Sequence, residues 1–262
     1  MAFALAVNNL IEAMKKPGCP ICRIGRQGAQ RALESFLWEN VNEPDVRQGI
    51  LDSYGFCPPH TRVMVAQELS TSSVALGTNI IYEHLGRVVA GELKKLRPGS
   101  PGSAMGAAGG GLRKLLGRLG FNKAGGPLHP RGDCPACTAG RNASLNSLHV
   151  LCEELQKPPR EASGKVEDVR TVYLASDQLC LPHIRAAIEL HAAGFPQAVT
   201  LLIDETVRRL ESQSKDMKEW IRKNNWTYRD EKLTEAEDKA WRKTLTFFTG
   251  YPGESFIYKV EE

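Results

Sequence analysis

Six of the seven cysteines in this sequence fall into two sets of three, and a histidine completes each set. Thiolate sulfur and imidazole nitrogen are common zinc ligands, and a CxxC motif followed by a CxxH motif, found twice, is a specific signal for metal. The order of the motifs predicts two Cys3His sites within the chain. The first would use Cys19, Cys22, Cys57 and His60, and the second Cys134, Cys137, Cys180 and His183.

Protein side chains fill all four ligand positions of each predicted site. A closed zinc site leaves no position for a substrate or an activated water, which is typical of a structural ion. We therefore expect two zinc ions, no catalytic residue, and a scaffold whose partner is another protein.

A redox function is the alternative, because soft thiolate ligands also bind iron. The same residues could hold an iron–sulfur cluster or act as a thiol switch. Cys-Pro-x-Cys at a helix start also occurs in thiol oxidoreductases, but the strand that precedes such a helix is not indicated before Cys19 or Cys134.

The two halves of the chain are copies of each other. Aligning the CxxC motifs also aligns Gly25-Arg26 with Gly140-Arg141, and aligning the CxxH motifs also aligns Asp45-Val46-Arg47 with Asp168-Val169-Arg170. The second half carries an insertion, which we place in the polar loop 156–165. This self-similarity indicates a tandem duplication.

The elements that position the ligands are predicted to be helices. A proline follows Cys19, Cys57 and Cys134 directly, and proline is favoured at the first position of a helix. A helix N-terminus also favours the thiolate form of cysteine, which is the form that binds metal. Apolar residues recur at helical spacing after each CxxC, and no run of alternating β-branched residues predicts a strand. Further helices are expected near Asp45–Ser53, Val74–Lys95, Val166–Ser176, Gln197–Lys223 and Thr234–Phe248.

The expected architecture is all-α, with two tandem helical halves at residues 1–96 and 133–223. A Gly/Pro-rich stretch at 97–132 predicts a flexible linker, in which Leu112–Phe121 is a short basic amphipathic piece. Residues 224–262 form an aromatic-rich C-terminal segment. Cys152, the seventh cysteine, falls on the apolar face of a predicted helix, and we expect it to be a buried core thiol.

Charge and hydropathy exclude several classes of protein. The 34 basic and 30 acidic residues leave a net charge of +4, too small a bias to predict nucleic-acid binding. The longest apolar runs, such as Ala198–Ile203, are far shorter than a membrane span. An odd number of cysteines and the lack of a recognisable secretory signal predict the cytoplasm.

The chain resembles an uncharacterised bacterial family of helical proteins that is classed as a domain of unknown function. The resemblance covers both halves and the tail but not the linker, and it implies the helical architecture without an activity. It rests on Cys19-Pro-x-Cys22, the run Trp38–Arg47, Gly55-Phe56-Cys57-Pro58-Pro59-His60, Cys134-Pro-x-Cys137, Leu179–His183, and the tail from Ile221–Asn224 to Arg229–Glu231.

The interspersed charges predict negligible affinity for generic DNA or RNA at physiological salt, because few basic side chains would be free to displace counterions. A filter-binding titration over several salt concentrations tests this. Tight binding whose affinity falls steeply with salt would contradict the prediction.

Overall fold

The computed structural model describes residues 2–70, 75–96, 128–158, 167–228 and 230–250. Within these ranges the protein has ten α-helices, one short 3-10 helix and no strand, so the predicted all-α fold is confirmed. The helices are α1 (Ala2–Met14), α2 (Pro20–Trp38), α3 (Pro44–Asp52), α4 (Pro58–Ser70), α5 (Leu76–Lys95), α6 (Pro135–Gln156), α7 (Val169–Ala175), α8 (Leu181–His191), α9 (Pro196–Lys223) and α10 (Glu235–Thr249).

Proline stands at the start of every helix that carries a metal-ligand motif. Pro20, Pro58 and Pro135 are the first residues of α2, α4 and α6, and Pro182 is the second residue of α8. The missing proline N–H would have had no intrahelical partner at these positions. Each CxxC and CxxH motif therefore lies at a helix start, as the sequence predicts. The other predicted helices are also present, with ends that differ by a few residues.

The chain divides into two compact units that differ from the predicted halves. The terminal unit consists of Met1–Gln27 and Arg141–Glu262, and the central unit consists of Gly28–Gly140. The boundaries fall inside α2 and α6. Both helices are long enough for their two ends to contribute to different apolar cores, which is why domain limits at 1–96 and 133–223 do not describe the units.

The core of the terminal unit combines α1, the first turn of α2, and α6 to α9. Leu10, Ile21, Leu148 and Tyr173 are fully buried in it. Cys152 is 0% exposed in the same core, which confirms the prediction of a buried thiol, and burial raises its pKa to about 12.

The core of the central unit forms around the second part of α2. Leu33, Ile50 and Met64 are buried there, and the rings of Phe36 and Phe56 meet edge to face with centroids 5.3 Å apart. Phe36 lies near the end of α2 and Phe56 directly precedes Cys57. This contact therefore places the CxxH motif of the first half near the C-terminal end of α2.

The C-terminal helix α10 packs against α9 within the terminal unit. Thr234 and Glu237 form a capping box at its start, and both carboxylate oxygens of Glu237 accept hydrogen bonds from Lys223 Nζ at 2.8 Å. Further along, the Thr244 hydroxyl donates to Gln213 Oε1 at 3.0 Å. These bonds fix the direction of α10 and with it the position of its last residues.

Some sequence predictions fall outside the described residues. They concern most of the linker, its basic piece Leu112–Phe121, and most of the inserted loop 156–165. No described helix has both the length and the apolar character needed to span a membrane.

Candidate metal centres

The eight predicted ligands form two clusters, but each cluster takes its CxxC from one half and its CxxH from the other. In both clusters the four ligand atoms lie within 4.8 Å of one another. The expected pairing within each half is therefore wrong. The terminal site contains Cys19, Cys22, Cys180 and His183, and the central site contains Cys57, His60, Cys134 and Cys137.

Helix lengths explain the exchange. From Cys22 to its last residue, Trp38, α2 carries the chain about 24 Å, whereas the nine residues of α3 span only about 14 Å. Cys57 therefore packs with the second part of α2 in the central unit, whereas Cys22 belongs to the terminal unit. The second half has the same order of a long helix and a short one, since α6 has 22 residues and the following α7 has seven. A CxxH motif that follows such a pair of helices meets the CxxC motif of the other half.

The interatomic distances in the two sites are almost the same. His183 Nδ1 lies 3.1, 3.4 and 3.5 Å from the sulfurs of Cys180, Cys22 and Cys19. In the central site His60 Nδ1 lies 3.1, 3.4 and 3.6 Å from the sulfurs of the corresponding cysteines. One sulfur–sulfur distance is 3.6 Å in each site, between Cys22 and Cys180 and between Cys57 and Cys137.

These distances fit one tetrahedral ion in each site. Zinc–sulfur bonds of about 2.3 Å and zinc–nitrogen bonds of about 2.0–2.1 Å give tetrahedron edges of about 3.8 Å between sulfurs and about 3.5 Å between sulfur and nitrogen. The four ligand atoms of each cluster therefore surround a space of the right size for a single zinc-sized ion.

Backbone hydrogen bonds join the two ligand loops of each site independently of the thiols. In the terminal site the backbone N–H of Gly18, next to Cys19, donates to Asp177 Oδ2 at 2.7 Å. In the central site the backbone N–H groups of Arg131 and Gly132 donate to the carbonyl of Asp52 at 2.6 and 3.2 Å. Hydrogen bonds beside each cluster therefore also hold the CxxC of one half next to the CxxH of the other.

Gly250, which ends α10, covers the terminal site. Its φ of 71° is in the left-handed region, and a Cβ atom placed there would lie 3.3 Å from the sulfurs of both Cys22 and Cys180. Another residue would have both a strained backbone and tight contacts with two ligand sulfurs, so glycine fits this position best. The end of α10 thereby becomes part of the surroundings of the terminal site.

The pKa values of the ligands in the terminal site are shifted in different directions. Burial raises the pKa of Cys19, but hydrogen bonds from Cys180, Cys22 and His183 outweigh it and hold that pKa well below its ordinary value. Hydrogen bonds to Cys180 and Cys19 raise the pKa of Cys22. Burial lowers the pKa of His183, yet the neighbouring cysteines raise it overall to about 10. A bound metal must displace these protons, so metal affinity falls as pH falls.

The central site is more open to solvent, and its histidine titrates differently. Partial burial lowers the pKa of His60. Burial also raises the pKa of Cys134, but backbone N–H groups of Cys57, Cys137 and Ala136 outweigh it and lower that pKa. Two of these donors belong to the first turn of α6. The N-terminus of α6 therefore lowers the pKa of a ligand thiol in this site, as the sequence predicts.

Comparison with known proteins identifies the family. A family model described as a family of unknown function, DUF6062, matches residues 2–254. The chain belongs to this family. The match includes both ligand sets and Gly250, so it agrees with the resemblance noted from the sequence motifs. Searches of curated proteins and of solved structures gave no match.

Sequence reasoning missed three residues that position the ligands. Asp177 and Asp52 precede the two CxxH motifs and accept the hydrogen bonds that hold the opposite ligand loop, Asp177 through its carboxylate and Asp52 through its backbone carbonyl. No sequence pattern distinguishes either position. Gly250 follows a predicted helix, and a glycine after a helix end is a recognisable C-cap signal. Gly250 is far from Cys22 in the sequence, so the C-cap signal did not indicate that this glycine lies at the metal site.

Replacing Cys180 with serine should remove one equivalent of bound metal and loosen segments from both halves of the sequence. We expect amide hydrogen exchange to rise around Cys19–Ile24 and Leu179–Ile184, because those segments share one ion. The central unit should keep its protection and its ion. Increased exchange at Cys134–Cys137 would contradict the exchanged pairing, and Cys137→Ser provides the matched variant for the central site.

Replacing Gly250 with alanine should weaken the terminal site alone. A non-glycine residue in the left-handed region costs about 1–2 kcal/mol, and the added methyl group would press on two ligand sulfurs. One of the two ions should therefore transfer faster to a competing chelator. Gly91→Ala is the control, since open space surrounds Gly91 within α5 and alanine is there favourable by about 0.5–1 kcal/mol. Equal release rates in wild type and Gly250→Ala would refute a role for Gly250.

Proposed function

We propose that the protein is a helical scaffold held together by two structural zinc ions, with no catalysis at either ion. One observation carries this proposal: each cluster offers four protein ligand atoms at the spacing of a tetrahedron around one ion. Four protein ligands complete the coordination of zinc and leave no position for a substrate.

The ligand spacing supports zinc over a multi-iron cluster. In a cluster of four irons each protein ligand binds a different iron, so the ligand atoms lie farther apart than four atoms around one ion. All four atoms of each site lie within 4.8 Å of one another. Three cysteines and one histidine are also a common ligand set of structural zinc.

The ions would act by joining segments that are distant in sequence. Cys22 and Cys180, which would bind the same ion, are 158 positions apart in the sequence, and Cys57 and Cys137 are 80 positions apart. Closing such long loops removes conformational entropy from the unfolded chain. A structural zinc site can contribute on the order of 10 kcal/mol of apparent binding free energy, which here becomes folding free energy.

We further propose that the partner of this scaffold is another protein. The charge balance supports this choice over nucleic acid, because several basic side chains are already paired with carboxylates. Lys223 pairs with Glu237, and Arg222 pairs with both Glu219 and Glu231. Such pairs leave fewer cationic groups for a phosphate backbone.

Metal analysis of protein purified without added metal tests the zinc proposal. We expect two zinc ions per chain and a colourless protein. Cys22→Ser and Cys57→Ser should each hold one ion, whereas Cys152→Ser should hold two, because Cys152 lies in the core and not in a ligand cluster. Iron with visible absorption, or two ions retained in Cys22→Ser together with loss of a measurable reaction, would contradict the proposal.

A further inference from the structure

The two copies of the Asp-Val-Arg motif use their arginines differently. In the second half Arg170 Nη2 donates to the carbonyls of Leu155 and Lys157 at 2.7 and 3.4 Å, so this arginine holds the C-terminal end of α6. Arg47 occupies the same motif position in the first half. Its guanidinium makes no hydrogen bond or ion pair with any other described residue, and its Nε is buried without an acceptor.

A buried N–H group without an acceptor is uncommon in folded proteins, because the group has lost water and gained nothing in return. The duplicated arginine shows that the motif itself does not require a free guanidinium. Among the residues that the structure describes, Arg47 is therefore without a partner because of its surroundings in the central unit. An acceptor from outside the chain would satisfy it.

Those surroundings form an open depression of about 560 Å³, a volume within the roughly 300–1,000 Å³ of small-molecule sites. Arg47 comes from α3, and α5 supplies the remaining lining residues. They are Asn79, Ile80, Glu83, His84 and Arg87. None of the eight metal-ligand residues lines this depression.

The charges in the depression favour an anion. Arg47 and Arg87 are both cationic, and Glu83 lies 3.7 Å from Arg87 as its ion-pair partner. That ion pair is exposed and long, so Arg87 keeps donors for a ligand. Two guanidinium groups against one carboxylate leave an excess of one positive charge among the arginine and glutamate side chains of the lining.

We propose that this depression, the α3–α5 groove, binds the anionic oxygen group of a small molecule, either a carboxylate or a phosphate. Arg47 supplies a guanidinium fork whose Nε is buried, and such a fork matches the two oxygens of these groups. Arg87 supplies the second positive charge from the rim. Ile80 gives the carbon part of the ligand an apolar contact.

Calorimetric titration of the full-length, metal-loaded protein tests this site with two probes, succinate and inorganic phosphate, at equal ionic strength. At least one probe should bind with one site per chain. Tighter binding of succinate would identify a carboxylic acid as the ligand class, and tighter binding of phosphate would identify a phosphate compound. Failure of both probes to bind would overturn the proposal.

Variants separate this site from a general charge effect. Arg47→Gln and Arg87→Gln should each lower the affinity for the bound probe at least tenfold, and Arg47→Lys should also lose affinity because it keeps the charge without the fork. Arg170→Gln is the matched control, expected to reduce stability and leave probe affinity unchanged. Arg87 is exposed, so its variant tests the groove even if Arg47→Gln folds poorly. Unchanged affinity in Arg87→Gln, or in folded Arg47→Gln, would overturn the proposal.

Discussion

The convergence of two helix starts on four ligand atoms is the constraint on which the rest of this structure depends. Each site joins the CxxC of one sequence half to the CxxH of the other, so neither half holds a complete ligand set. The halves are copies in sequence, yet they are not the units of the fold. Exchange of this kind makes each compact unit depend on segments that are far apart along the chain.

The two sites share their ligand geometry but differ in what surrounds them. The terminal site has two nearly fully buried cysteines, and the end of α10 covers it through Gly250. In the central site three of the four ligands are only half-buried. Duplication therefore preserved the interatomic distances while the C-terminal segment added a cover to one copy. The Asp-Val-Arg motif diverged in the same way, since Arg170 supports a helix end and Arg47 faces a groove.

Much of the local structure could be predicted from sequence because local physics determines it. Proline after the first cysteine of each CxxC indicated the helix starts, and apolar periodicity located the helices. The pairing of the motifs could not be predicted from ligand spacing alone, since either arrangement gives Cys3His. The lengths of α2 and α3 contained the missing information, because a short helix that follows a long one cannot bring the chain back to the start of the long one. The roles of Asp177 and Gly250 depend on tertiary contacts that no sequence pattern announces.

The exchanged pairing is tested most directly by loading the protein with cadmium-113 and recording proton–cadmium correlations for the assigned cysteine and histidine side chains. Cadmium suits soft thiolate ligands, and each correlation identifies a residue bound to one particular ion. One cadmium resonance should correlate with Cys19, Cys22, Cys180 and His183, and the other with Cys57, His60, Cys134 and Cys137. A resonance that correlates with both Cys22 and Cys57 would contradict this account and restore the pairing within each half.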